Sequence, residues 1–199
     1  VQAMAGAMGG SKSEEFLATA EVGEDTYVHC TSCGYAATVA AVRVPAPAPV
    51  GWDGMPAAHV EDTPETPTIE TLVDHLNEHF PRDDRPWTAG DTLKNVVVML
   101  RHPDGTREPL AIGVPGDREV DEKRLGAQVE PAEVQAFDEA AFAEHPGLAK
   151  GYIGPGALGL EGTTGIRYLL DPRIAPGTRW VTGANEPGRH VIDLVAGRD

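Results

Sequence analysis

Apolar residues recur at Ile69, Leu72, Val73, Leu76 and Phe80, the spacing of a single helix face, with Thr68 ahead of them as a cap and Glu70 in the first turn. The pattern predicts a helix over Thr68–Phe80, stopped by Pro81. Leu93–Leu100 is a mostly apolar run that reads as a buried strand, His102-Pro103-Asp104-Gly105 as a turn, and Glu108–Val114 as the returning strand. Shorter stretches predict strands at Glu15–Ala20 and Thr26–Cys30 around a Gly23-Glu24-Asp25 turn. More follow at Lys150–Ile153, Gly165–Leu170, Arg179–Thr182 and His190–Val195. Tyr35–Val42, Glu119–Leu125 and Pro131–Glu144 read as helices, the last rich in alanine and glutamate. Between them, Val44-Pro45-Ala46-Pro47-Ala48-Pro49 fixes φ and removes donors at alternate residues, which makes a stiff, extended linker. Strand pairs mixed with helices predict an α+β domain with a curled sheet flanked by helices.

Composition narrows the setting. The 199 residues are 41% hydrophobic and 24% charged, ordinary for a globular domain, and no apolar run approaches the ~20 residues a membrane span needs. The start, Val1-Gln2-Ala3-Met4-Ala5-Gly6, has neither the basic region nor the apolar core of a signal peptide, and reads as the beginning of a fragment. A net charge of −15 repels phosphate, so the chain is not expected to grip nucleic acid strongly by itself. The two cysteines, Cys30 and Cys33, lie too close together for a long-range disulfide framework, as in a reducing, cytoplasmic setting.

The nucleophiles are informative by where they stop. Serine occurs at positions 11, 13 and 32 and cysteine at 30 and 33; beyond Gly34 there is neither. A hydrolase built on this chain is therefore expected to position water rather than use a Ser or Cys nucleophile. Cys30-Thr31-Ser32-Cys33 has the form of half a zinc site, but its nearest matching pair, His75 and His79, lies far beyond finger spacing, so no metal is expected. Gly151-Tyr152-Ile153-Gly154-Pro155-Gly156 is a glycine-rich loop after an expected strand, able to turn backbone N–H groups toward a ligand oxygen or to serve as a plain turn. Without a following Gly-Lys-Ser/Thr it is not a P-loop. Gly183-Ala184-Asn185, ahead of His190, is a second small-residue loop.

Nine short elements in order carry a resemblance. They are Met8–Phe16, Gly23–Thr26, Gly34–Ala37, Thr68–Glu70, Leu93-Lys94, Pro115–Val120, Gly151–Pro155, Gly183–Glu186 and Gly197–Asp199. This series resembles bacterial-type prolyl-tRNA synthetases across their editing insertion, of the YbaK-like superfamily. The match is poorest at 44–66, 81–91 and 131–148. The family has histidine where Glu14 stands, commonly arginine at Pro115, and an aromatic, Asn-Trp-rich ending in place of 190–196. The resemblance implies a mixed, barrel-like sheet with helices around it. It implies that 1–29 belongs to the synthetase catalytic core and 30–199 to the insertion, with 44–66 a Pro-rich linker and 197–199 the re-entry to the core.

It also implies an activity: hydrolysis of alanine wrongly esterified to proline tRNA, in cis within the synthetase. A proline site cannot strongly reject alanine, because missing methylenes are worth only ~1–3 kcal/mol; a second, smaller pocket admits alanine and excludes proline. By position, Lys94 corresponds to the family's editing lysine near the terminal phosphate or ribose, and is otherwise an exposed strand lysine. Gly151, Tyr152, Ile153, Gly154 and Pro155 correspond to the GxxxP loop that holds the ester carbonyl and oxyanion. Gly183, Ala184, Asn185 and His190 correspond to the pocket wall, His190 shaping the alanine pocket more than acting as a base. Asp171 corresponds to a family aspartate that either orders the site or caps a turn. The resemblance implies no cofactor for editing, ATP and magnesium for the parent enzyme, and a tRNA(Pro) acceptor end as partner of a homodimeric parent. Two alternatives remain: a freestanding trans-editing deacylase of the same superfamily, and a non-catalytic acceptor-end binding module.

Overall fold

A computed structural model describes residues 1–3, 13–20, 22–23 and 26–199. Motif residues 8–12 and two of the three residues of the 23–25 turn lie outside them. The elements in chain order are β1 (Gln2–Ala3), β2 (Ser13–Glu14), β3 (Tyr27–His29), β4 (Ala36–Thr38), β5 (His59–Asp62), α1 (Ile69–His79), β6 (Thr92–Arg101) and β7 (Arg107–Pro115). After these come α2 (Glu122–Val129), β8 (Glu133–Ala136), α3 (Glu139–Glu144), β9 (Arg167–Leu170), β10 (Arg179–Gly183) and β11 (Arg189–Val195). Among the described residues no helix is long and apolar enough to cross a membrane.

The chain forms two compact units, Val1–Pro45 with Asp121–Val134, and Ala46–Val120 with Gln135–Asp199. The first holds a four-stranded sheet in the order β2-β1-β4-β3, with β1 parallel to β4 and the other pairs antiparallel. The second is built on a mixed sheet in the order β5-β11-β10-β6-β7-β9. Along this order the pairs are antiparallel except β10 with β6 and β7 with β9. The architecture is α+β as expected, but the sheet stays open between β5 and β9 and does not close into a barrel.

Where local signals agreed, the elements form as expected. Thr68 caps α1 in a capping box with Thr71, and the helix buries Leu72 and Leu76 beside Trp87, Val181 and Ile192. Each such leucine contributes roughly 1.5–3 kcal/mol by leaving water. The β6–β7 hairpin turns at His102–Thr106, with Gly105 at φ +86°. Five local expectations fail. Glu15 still bonds Val1 through both backbone groups at the end of the β1–β2 ladder, but residues 16–20 form no strand and Phe16 lies in solvent. Tyr35–Val42 is not a helix: Gly34 at φ +75° turns the chain, so Ala36–Thr38 pairs with β3. Pro131–Glu144 is helical only over α3, which starts where Asp138 caps it, the preceding β8 being extended. Lys150–Ile153 is a loop, since Gly151 takes φ +84°. The stretch 44–66 is likewise not all linker, because β5 pairs with β11 and Thr63 and Thr66 are buried.

Candidate functional site

The register of the larger sheet brings three strand segments to one place. Thr182 of β10 lies beside Leu93 of β6, and Gly183 lies opposite His190 of β11. Over these strands sit the start of α1 and the loop after Lys150. Together they line a cavity of about 310 Å³ that includes Thr66, Thr68, Lys94, Asn95, Gly151, Ile153, Thr182, Gly183 and His190. Two backbones cross at this point with no room for side chains. A Cβ on Gly154 would collide with the Gly183 carbonyl oxygen, and one on Gly183 with the Tyr152 carbonyl oxygen. Glycine at both positions is therefore a packing requirement.

Asn185, at φ 57°, fastens the glycine loop from the other side. Its N–H donates to the Tyr152 carbonyl at 2.7 Å, its Nδ2 donates to Gly147 O at 2.8 Å, and its Oδ1 accepts from the Ala149 N–H at 3.0 Å. Gly154 opens the short 3-10 turn Pro155–Ala157, with Pro155 at its first position. Among the described residues, the N–H groups of Gly151, Ile153 and Gly154 have no protein acceptor. They are donors held in place and left unspent.

The polar side chains of the cavity are mostly committed. Thr66 Oγ1 donates to Thr63 O, Thr182 Oγ1 donates to Leu93 O, and Thr68 serves α1 as its cap, so none of the three hydroxyls is set up as a nucleophile. His190 is 4% exposed; its Nδ1 shares a 2.6 Å hydrogen bond with the Thr63 hydroxyl, and its ring lies 5.4 Å from that of Tyr152. Burial, reinforced by the nearby His75, lowers its pKa to about 4, so the imidazole is neutral at pH 7 and a weak base. Lys94 Nζ donates to Glu119 Oε1 at 2.8 Å.

Of the residues expected in a site, Lys94, Gly151, Ile153, Gly183 and His190 line the cavity, while Tyr152, Gly154, Pro155, Ala184 and Asn185 build the two loops around it. Asp171 does not line it. Its Oδ1 accepts from the Arg173 N–H at 2.8 Å, its N–H donates to Gly113 O, and Arg118 lies 3.9 Å from Oδ2, so it caps the turn after β9. Sequence reasoning missed Thr63, Asn95, Tyr168 and Thr182. Asn95 Nδ2 donates to Ile153 O at 2.8 Å and Thr182 Oγ1 at 3.0 Å, and its Oδ1 accepts from the Tyr168 hydroxyl. The available signal was a polar residue inside an apolar strand, opposite a glycine in its partner strand.

The family model for the aminoacyl-tRNA editing domain matches residues 63–198. The proline–tRNA ligase of Kineococcus radiotolerans is 69% identical over 199 residues, which is 100% of this chain and 34% of that protein. Those of a Nocardioides species and of Cutibacterium acnes are 68% and 63% identical, again across 100% of this chain and 34% of their own length. The chain thus spans about a third of the length of the curated relatives it matches.

Proposed function

This chain belongs to the aminoacyl-tRNA editing domain family, and from that premise we propose that its cavity hydrolyses alanine esterified to proline tRNA, acting in cis within a longer proline–tRNA ligase. The observation that carries the reading is the set of unspent N–H groups on a fixed glycine loop beside a cavity that offers no prepared nucleophile. An aminoacyl ester is already reactive toward water. The protein's work is to hold the carbonyl, place donors where oxyanion charge develops, and confine the side chain.

In this mechanism the loop N–H groups receive the carbonyl oxygen as it becomes an oxyanion. Water adds to the carbonyl carbon, and the C–O bond to the tRNA breaks, the released ribose oxygen taking up a proton; the neighbouring ribose hydroxyl helps order the water. Lys94 faces the terminal phosphate or ribose, and the exposed Glu119 yields it readily. Neutral His190 forms part of the wall that limits side-chain size, and no metal or cofactor takes part. At about 310 Å³ the cavity is at the lower end of the ~300–1,000 Å³ range of ligand sites, as a small-residue sieve requires.

The proposed partners are the tRNA(Pro) acceptor end and the remainder of the ligase, a homodimer on this reading. Residues 1–29 are assigned to its catalytic core, which the full exposure of Phe16 supports, and 197–199 to the chain's re-entry to that core. Deacylation of alanyl- and prolyl-tRNA(Pro), by the chain alone and by the whole ligase, is the test. Alanyl-tRNA(Pro) should be hydrolysed and prolyl-tRNA(Pro) spared. Equal rates on both would remove the sieve, and binding without hydrolysis would make this a recognition module.

A further inference from the structure

We propose that Asn95 and Tyr168 are positioning residues that hold the Gly151–Pro155 loop in its ester-binding shape through a hydrogen-bond relay across four strands. The role in catalysis rests on the hydrolytic reading above; the role in loop geometry does not.

The relay begins on β9. Tyr168 lies two strands away from Asn95, with β7 between them, and the β7 residue opposite Asn95 is Gly113. A Cβ on Gly113 would sit 2.5 Å from the Tyr168 hydroxyl oxygen and 2.7 Å from Leu170 Cδ2. The missing side chain is the passage by which the phenol reaches across β7. Burial raises the Tyr168 pKa above its ordinary value, so the group stays a phenol and donates. That donation fixes which way the Asn95 amide faces: Oδ1 toward Tyr168, Nδ2 toward the loop and Thr182. Thr182 passes its own proton to Leu93 O, so every donor in the series points the same way and each bond polarises the next.

The relay acts on a peptide plane. In a trans peptide the N–H points opposite the C=O of the same unit. Holding the Ile153 carbonyl therefore fixes the direction of the Gly154 N–H, just as the Asn185 N–H on the Tyr152 carbonyl fixes that of Ile153. Both of these N–H groups lack a protein acceptor among the described residues. Asn95 has both its amide hydrogens spent on protein oxygens, so it aims donors and does not itself bind substrate.

Tyr168→Phe removes one oxygen and leaves the ring in its apolar cluster. In the whole ligase, kcat for alanyl-tRNA(Pro) hydrolysis should fall about tenfold with KM unchanged, the size of one lost oriented hydrogen bond. Asn95→Asp, which replaces the donor with an acceptor facing Ile153 O, should lose more. Amide hydrogen exchange in the 199-residue chain supplies a readout independent of activity. The hydrogen-bonded amides of the loop, Tyr152, Ala157 and Asn185, should exchange faster in Tyr168→Phe while the β6–β7 amides stay as in the wild type. Unchanged kcat, unchanged loop exchange, or faster exchange throughout the sheet would each overturn the proposal. A wild type that hydrolyses no aminoacyl ester would end the hydrolytic reading and with it the catalytic role, and loop exchange alone would then decide the geometry.

Discussion

His190→Gln should flatten the acid limb of this protein's stability curve. At pH 7 the imidazole is neutral folded or unfolded and contributes no pH dependence. As pH falls through the ordinary histidine value of 6.5, the unfolded chain takes up a proton that the folded one refuses until about pH 4. The unfolded state then binds more protons, so stability drops with falling pH across this window and the loss is complete below it. From 6.5 to about 4, at ~1.4 kcal/mol per pH unit, the loss is about 3 kcal/mol. Glutamine keeps a hydrogen-bonding partner for Thr63 and cannot titrate. Urea unfolding followed by tryptophan fluorescence at several pH values should show wild type and variant converging by about that amount between pH 7 and pH 4. Asp91 does not interfere: burial pushes its carboxyl up, but bonds from Arg85 and Thr88 outweigh it and hold the pKa to about 2. Its contribution is lost only below this window and is common to both proteins. Parallel curves would mean that His190 is solvated, and curves that diverge toward low pH that it is charged and paired; either result would remove the neutral wall of the pocket.

Lys94→Ala should lower kcat/KM on every aminoacyl-tRNA alike, with little change in thermal midpoint because its partner Glu119 is 88% exposed; a changed alanine-to-proline ratio would refute the assignment. His190→Ala should instead admit prolyl-tRNA(Pro) while slowing the alanyl ester, seen by running the same assay on both substrates. Gly183→Ala drives a Cβ into the Tyr152 carbonyl and should cost a few kcal/mol in urea unfolding or displace the loop with loss of hydrolysis; near-wild-type stability together with near-wild-type activity would contradict the crossing of the two backbones. Chelation should leave hydrolysis unchanged, since the Cys30/Cys33 and His75/His79 pairs are spaced poorly for one site; a loss restored by zinc would point back to Cys30 and Cys33.

What could be read from the sequence was whatever is local. Helix α1 was legible because its cap, period and stop all fall between Thr68 and Pro81 and agree, and the β6–β7 hairpin because Pro103-Asp104-Gly105 sits between two apolar runs. Glu133–Ala136 was not, because alanine and glutamate favour helix while the chain there is extended, and only Asp138 marks where the helix begins. Half of the site's walls came from ordered motifs. The relay could not, because Tyr168 and Asn95 are 73 residues apart and meet only once β9, β7 and β6 take their register. Asn95 inside an apolar strand, and Gly113 inside a strand that otherwise wants bulky residues, were its local traces.

On the proposed reading, charge divides the work between this chain and whatever holds the tRNA. A net −15 opposes an incoming phosphate backbone. Several arginines already face carboxylates: Arg82 and Arg85 meet Asp91, Arg179 meets Asp193, and Arg189 meets Asp62 and Glu186. Lys94 lines the cavity, and its partner is exposed enough to be exchanged for a phosphate. Selectivity, on the proposed reading, is a local matter of wall and donors, whereas affinity for the acceptor stem has to be supplied from elsewhere. A domain arranged this way gains from weak binding of its own: an ester with the right side chain is cleaved on arrival, and one with the wrong side chain leaves before the slow reaction with water can reach it.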